Sequence, residues 1–260
     1  MSTYKDIGIE KTVGFVGIIE IHRPPHNFFD MELIQQIATA MEEFDKDNAV
    51  RAVVLCAQGK SFCAGANFND PKRERPAQSA KPVNPLYIEA VRLLRTKKPI
   101  VAAVHGAAIG GGLGLACAAD FRVTCPEARF AANFTRLGFH PGFGLTVLLT
   151  ELVGKNQAEL LFYTGRRIGG EEAARIGLAN LCVPLDQVRT EAIKLATEIA
   201  ESAPLAVAST RKTMRGELAD RVKVATDHEL IEQNWLRATE DFKEGVKATN
   251  ERRLANWQGR

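Results

Sequence analysis

The chain has 260 residues, 34 basic against 31 acidic side chains and a formal net charge of +3, a balance too even to call for nucleic acid or an anionic membrane as partner. At this length a single core nears its upper size, which favours one main domain with an appendage. Cys56, Cys63, Cys117, Cys125 and Cys182 are scattered without metal-ligand spacing, and the start Met-Ser-Thr-Tyr-Lys-Asp lacks the order of an export signal, so the expectation is a cytoplasmic protein with reduced thiols.

In chain order, the apolar run from Gly14 to Ile21 reads as a strand. A helix follows with an Asp30 cap and Ile34, Ile37, Met41 and Phe44 on one face. Val50 to Ala57 reads as a buried strand that runs into Phe62-Cys63-Ala64-Gly65-Ala66-Asn67, and Pro71 to Pro85 as an exposed, charged loop with room for a mobile lid. Ile100 to Val104 is a second buried strand, followed by His105-Gly106-Ala107-Ala108-Ile109-Gly110-Gly111-Gly112 and a helix from near Gly111. Pro99 to Ala119 carries no charge and has the length of a membrane span, but five glycines and His105 argue for strand, turn and helix instead. Gly110, Gly112 and Gly114 do not make the spacing of a dinucleotide fingerprint, and Asp120 comes too soon for its ribose-binding acid.

Beyond them come a short strand at Phe121 to Thr124, a loop through Phe139 to Gly144, and helices over Leu145 to Leu152, closed by Gly154, and Gln157 to Tyr163. From Asp186 the pattern is helical: Val188 to Ser202, Leu205 to Arg215, and Ala219 to Ala248 with one break. The two glycine segments share a property. Each brings small residues to a strand end, where bare N–H groups can approach a ligand, and two donors aimed at one point can hold a developing oxyanion. That pattern suits thioester chemistry.

The ordered motifs resemble those of the enoyl-CoA hydratase/isomerase, or crotonase, superfamily over nearly the whole length. They are Arg23-Pro24 with Asn27, Gly59 to Asn67, Lys98 to Gly106 with Gly110-Gly111-Gly112, Leu137 to Gly142, Thr164-Gly165-Arg166, Ala173 to Asn180, and Glu240 to Gly245. The resemblance implies an α/β fold, a crotonase-like spiral of repeated ββα units with a C-terminal helical trimerisation segment. Residues 1–200 would form the acyl-CoA-binding core and 201–260 the oligomerisation segment of a homotrimer or dimer of trimers. The ligand would be an acyl-CoA thioester, with coenzyme A part of the substrate and no separate cofactor or metal.

By the same resemblance the N–H groups of Ala64 and Gly111 carry over as the oxyanion hole. Ala66, Asn67, Gly110 and the backbone beside Asn27 would line the ligand path. Arg23 and Lys243 would meet phosphates, with a solvated surface role as the alternative for each. Hydratases of the family use two glutamates, and here those positions read Gly114 and Phe134, neither of which moves a proton. His140 becomes the candidate acid or base, against a plain loop-capping role. Asn133, Arg136, Asp70 and Glu151 are further polar candidates, and Phe28, Phe29, Phe68, Phe134, Phe139 and Phe143 a possible apolar wall. Three readings follow: a hydratase- or isomerase-like enzyme, a hydrolase, decarboxylase or ring-cleaving enzyme, and a non-catalytic acyl-CoA-binding subunit.

Overall fold

The computed structural model describes residues 4–68 and 84–260. The chain opens with a hairpin, β1 (Ile7–Lys11) antiparallel to β2 (Val16–Ile21), then α1 (Met31–Lys46), whose first turn is capped by Asp30 accepting from the Leu33 N–H at 2.9 Å. Three units of like design follow. β3 (Ala52–Ala57), β4 (Ser61–Cys63) and α2 (Pro85–Arg95) form the first, β5 (Ile100–Val104), β6 (Ala107–Ile109) and α3 (Gly111–Ala118) the second, and β7 (Phe121–Thr124), β8 (Arg129–Ala131) and α4 (Leu145–Val153) the third. In each unit the longer strand enters one sheet and the shorter strand the other, so the chain winds as a spiral of ββα turns, as the resemblance implied.

α5 (Lys155–Thr164), β9 (Arg167–Ile168), α6 (Gly170–Arg175) and β10 (Leu181–Cys182) complete the spiral, and α7 (Val188–Glu201), α8 (Pro204–Arg215), α9 (Leu218–Leu236) and α10 (Glu240–Glu251) follow. The larger sheet runs β1-β2-β3-β5-β7-β10 and the smaller β4-β6-β8-β9, parallel except at β1 and β9. β3 and β5 are buried almost throughout, the continuous apolar pattern of a sheet covered on both faces, and α7 packs across that sheet. The uncharged stretch after Pro99 is thus β5, β6 and α3, and no described helix is long and apolar enough to cross a membrane.

The last helices return to the core. α9 lies on α2 and α4, and α10 rests backbone to backbone on Leu137 and Gly138, where a Cβ on Gly245 would lie 2.6 Å from the Leu137 carbonyl carbon. The loop expected over Pro71 to Pro85 lies outside the described residues except for Pro85, which opens α2. No disulfide links the five cysteines. Burial raises the thiol pKa of Cys56, Cys63 and Cys117 to about 12.

Candidate active site

Two backbone segments meet where β4 and β6 end. A Cβ on Gly65 (φ +83°) would lie 2.6 Å from the Ile109 carbonyl oxygen and 3.9 Å from the Gly111 nitrogen, and one on Gly112 only 2.0 Å from the Cys63 carbonyl oxygen. Such contacts exclude any side chain at either position. They bring the chain after Cys63 against the first turn of α3. Gly111 is the first residue of α3, where N–H groups have no partner within the helix, and no acceptor is found for its N–H among the described residues.

The matching donor on the other segment is not the expected one. The Ala64 N–H is already spent on the His26 carbonyl at 3.0 Å, which ties the segment to the loop before α1. Two residues on, the N–H of Ala66 has no acceptor among the described residues, while the flanking Gly65 carbonyl accepts from the Phe29 N–H at 3.0 Å. Both Ala66 and Asn67 are only half buried. The pair free to face a ligand is therefore Ala66 with Gly111, a correction to Ala64.

Aromatic rings surround this turn. Phe134 is 6% exposed, and its Cζ would lie 3.7 Å from a Cβ on Gly110; the Asn133 Oδ1 stands at the same distance. Phe143, in the left-handed region at φ +64°, lays its ring over the turn: a Cβ on Gly114 would lie 2.6 Å from its Cδ1. Phe29 covers Gly111 from the other side, 5.5 Å from Phe143 between ring centroids. Position 114 is thus a glycine whose space a phenylalanine ring fills, and position 134 a buried phenylalanine. Phe134, Phe139, Phe68 and Phe242 continue outward as a set of edge-on contacts.

The loop between Phe139 and Thr146 is held by one stripe of α9. Glu229, 0% exposed, accepts from the Gly144 N–H at 2.8 Å, the Thr146 N–H at 3.2 Å and the Thr146 hydroxyl at 2.6 Å, closing the N-terminus of α4. Burial pushes its carboxyl up to about 7, against the pull of those donors. Four residues on, the Gln233 amide donates to the His140 and Pro141 carbonyls at 3.0 and 3.1 Å and accepts from the Tyr87 hydroxyl at 3.0 Å. Four further on, Arg237 places its guanidinium 5.4 Å from the centre of the Phe139 ring. Nothing local marks these residues, because polar side chains run all along α9 and a buried glutamate goes against the usual burial order.

The remaining expected residues fall in several places. Asn27 is fully buried at φ +51°, donating to the Gln58 and Ser61 carbonyls at 2.6 and 2.7 Å and accepting from the Arg23 N–H at 3.0 Å; its side chain braces the approach to β4 and does not face a ligand. Arg23 is paired with Asp6 at 2.7 Å and Asp30 at 2.8 Å, and although burial opposes its charge those carboxylates raise its pKa. It is engaged rather than offered to phosphates. Lys243 pairs with Glu240 at 2.6 Å on the exposed side of α10.

The His140 Nδ1 contacts the Pro141 carbonyl at 2.8 Å, and its ring meets that of His228 on α9 at 6.1 Å. Arg136 donates to the Thr164 carbonyl, Glu151 pairs with Arg221, and Asp70 lies outside the described residues. His105 contacts the Gly59 carbonyl at 3.1 Å and supports the turn. Among the described residues no cluster of His, Cys, Asp and Glu could hold a metal ion.

Comparison with known proteins gives the same frame. The family model described as enoyl-CoA hydratase/isomerase matches residues 11–260. A crotonyl-CoA hydratase of Syntrophomonas wolfei is 34% identical over 257 residues, covering 98% of both chains. A probable mitochondrial enoyl-CoA hydratase 2 of Arabidopsis thaliana is 33% identical over 252 residues, 94% of this chain and 82% of the relative. The solved structure of an enoyl-CoA hydratase/isomerase from Pseudoalteromonas atlantica superposes with a TM-score of 0.84 at 29% identity, over 98% of this chain and 100% of the other.

Proposed function

Starting from a chain that belongs to the enoyl-CoA hydratase/isomerase family and is one of its acyl-CoA enzymes, we propose that it binds an acyl-CoA thioester with the carbonyl oxygen between the N–H groups of Ala66 and Gly111. The observation that carries this reading is the contact of the two segments with both donors left free. Polarising the carbonyl there stabilises an enolate next to it, and the N-terminus of α3 adds a favourable field for the developing anion. One such donor is worth about 3–4 kcal/mol of transition-state stabilisation. The hydratase names of the relatives make hydration or double-bond isomerisation the first reaction to test.

A second reading is favoured by Phe143. Its ring fills the space beside Gly114, and Phe134 is itself apolar, so neither position supplies an acid or base. Thioester hydrolysis, decarboxylation or ring cleavage also needs a polarised carbonyl but draws its proton transfers from elsewhere. A non-catalytic acyl-CoA-binding subunit would keep the same cradle. The deciding experiment incubates the purified protein with short, long and aromatic 2-enoyl-CoA esters and follows the conjugated-thioester absorbance together with product masses. A product heavier by one water supports hydration, and release of free CoA or carbon dioxide supports the second reading. Binding without turnover of any ester leaves a binding subunit, and absence of binding refutes the thioester reading.

The same reading extends to assembly. Leu205, Met214, Val224 and Trp235 on α8 and α9 expose apolar side chains, in keeping with a homotrimer or dimer of trimers, which light scattering of the purified protein distinguishes from a monomer.

A further inference from the structure

Most of the chain's enclosed arginines hold carboxylates, although Nη2 of Arg211 and Nη1 of Arg215 are left without a hydrogen-bond partner. Arg23 holds Asp6 and Asp30, Arg92 holds Glu42 and Glu89, and Arg211 and Arg215 share Asp120. Arg122, 1% exposed, has no carboxylate but donates to the carbonyls of Ala116, Ala119, Asp120 and Leu178. Arg237 differs from all of these. Half buried at the C-terminal cap of α9, its guanidinium makes one hydrogen bond, from Nη2 to the Gln233 Oε1 at 2.8 Å, and has no carboxylate partner among the described residues.

Burial disfavours its charge and lowers its pKa, with the Tyr87 hydroxyl the nearest opposing influence. A guanidinium taken partly out of water without an anion is costly, and its planar fork is suited to a carboxylate held by two N–H groups. Its position gives this meaning. Arg237 lies against Phe139, Phe139 meets Phe134 edge-on at 5.4 Å between centroids, and Phe134 borders Gly110, next to the free N–H of Gly111. The guanidinium therefore stands two aromatic rings away from the turn that would hold the thioester carbonyl, at the outer end of an otherwise apolar wall.

Resting on the thioester reading above, we infer that Arg237 recognises a carboxylate at the far end of the acyl group, so that the preferred substrates are CoA thioesters of dicarboxylic rather than simple fatty acids. The rings of Phe134 and Phe139 flank the chain between the two polar ends, and Gln233 holds the guanidinium in place. Arg237 is thus a specificity-determining residue with no part in proton transfer.

The test is calorimetric binding by the full-length protein of 2-enoyl-CoA esters of five to ten carbons that end in a carboxylate, of their neutral methyl esters, and of coenzyme A alone. The wild type should favour the acid over its methyl ester. R237Q should weaken the best acid by about 10- to 100-fold, the cost of losing a charge-assisted pair, and leave the methyl ester and coenzyme A unchanged. R237K, which keeps the charge but loses the fork, should fall between them. Equal losses for acid, methyl ester and coenzyme A would overturn the inference and assign the guanidinium to the CoA phosphates; no loss for any would reduce it to a stacking partner of Phe139. The wild-type comparison decides even where R237Q fails to fold. Tight binding of methyl esters and acids alike sinks this inference alone, whereas failure to bind any CoA ester sinks the thioester reading as well.

Discussion

Replacing Glu229 by glutamine tests whether the loop beside the site is held by a carboxyl that titrates near neutrality. The group ordinarily ionises near 4.5, and burial raises it to about 7 in the folded chain. A raised carboxyl favours the folded state in its protonated form. Its contribution is fully present below the unfolded value and is lost as pH rises through the folded one. A difference between about 4.5 and about 7 corresponds to about 3 kcal/mol. About 2 kcal/mol of that falls between pH ~5.5 and ~8.5, a range open to measurement. E229Q removes the titration and leaves the other groups in place. Urea unfolding of both proteins across that range should therefore show the stability difference moving against the wild type by about 2 kcal/mol as pH rises. A difference that stays level, or moves in favour of the wild type, would mean that the Gly144 and Thr146 donors keep the carboxylate ionised throughout, and the reasoning would fail.

Other substitutions read other parts of the site. N27A leaves the Gln58 and Ser61 carbonyls and the Arg23 N–H without their buried partner and should cost about 3 kcal/mol or more by chemical denaturation. G112A drives a methyl group into the Cys63 carbonyl, 2.0 Å away, and should cost about 3 kcal/mol or more and abolish acyl-CoA binding in a calorimeter. H140A should stay within about tenfold of wild-type turnover on the best ester, because the ring addresses Pro141 and His228, whereas loss of a general acid or base costs about 100-fold or more. Brief iodoacetamide treatment of the native protein should alkylate Cys182 ahead of the four buried thiols, as peptide mass mapping would show.

The alternation of strand and helix was legible because the long strands are unbroken apolar runs and the helices are capped or periodic, Asp30 marking α1 and Gly154 closing α4, while the spiral itself came from the resemblance. β8, β9 and β10 were not, since strands of two or three residues carry no period. α2 was hidden behind a proline that reads as loop and in fact opens the helix. At the site, the glycine turn could be read from its residues, and the phenylalanines only as a set of candidates for an apolar wall. Choosing Ala66 over Ala64 could not, because it depends on which N–H the distant His26 carbonyl engages. The grip of Glu229, Gln233 and Arg237 on the loop spans some 90 residues of sequence and leaves no local trace.

Gly114 and Phe143 share one volume, and this couples what either position can carry. G114E alone meets a ring anchored in a left-handed turn, and shrinking Phe143 alone opens a void with nothing to occupy it. A larger side chain at 114 therefore requires a smaller one at 143. The ring at 143 thus acts as a lock on position 114, deciding from across the turn that the residue there stays without a side chain.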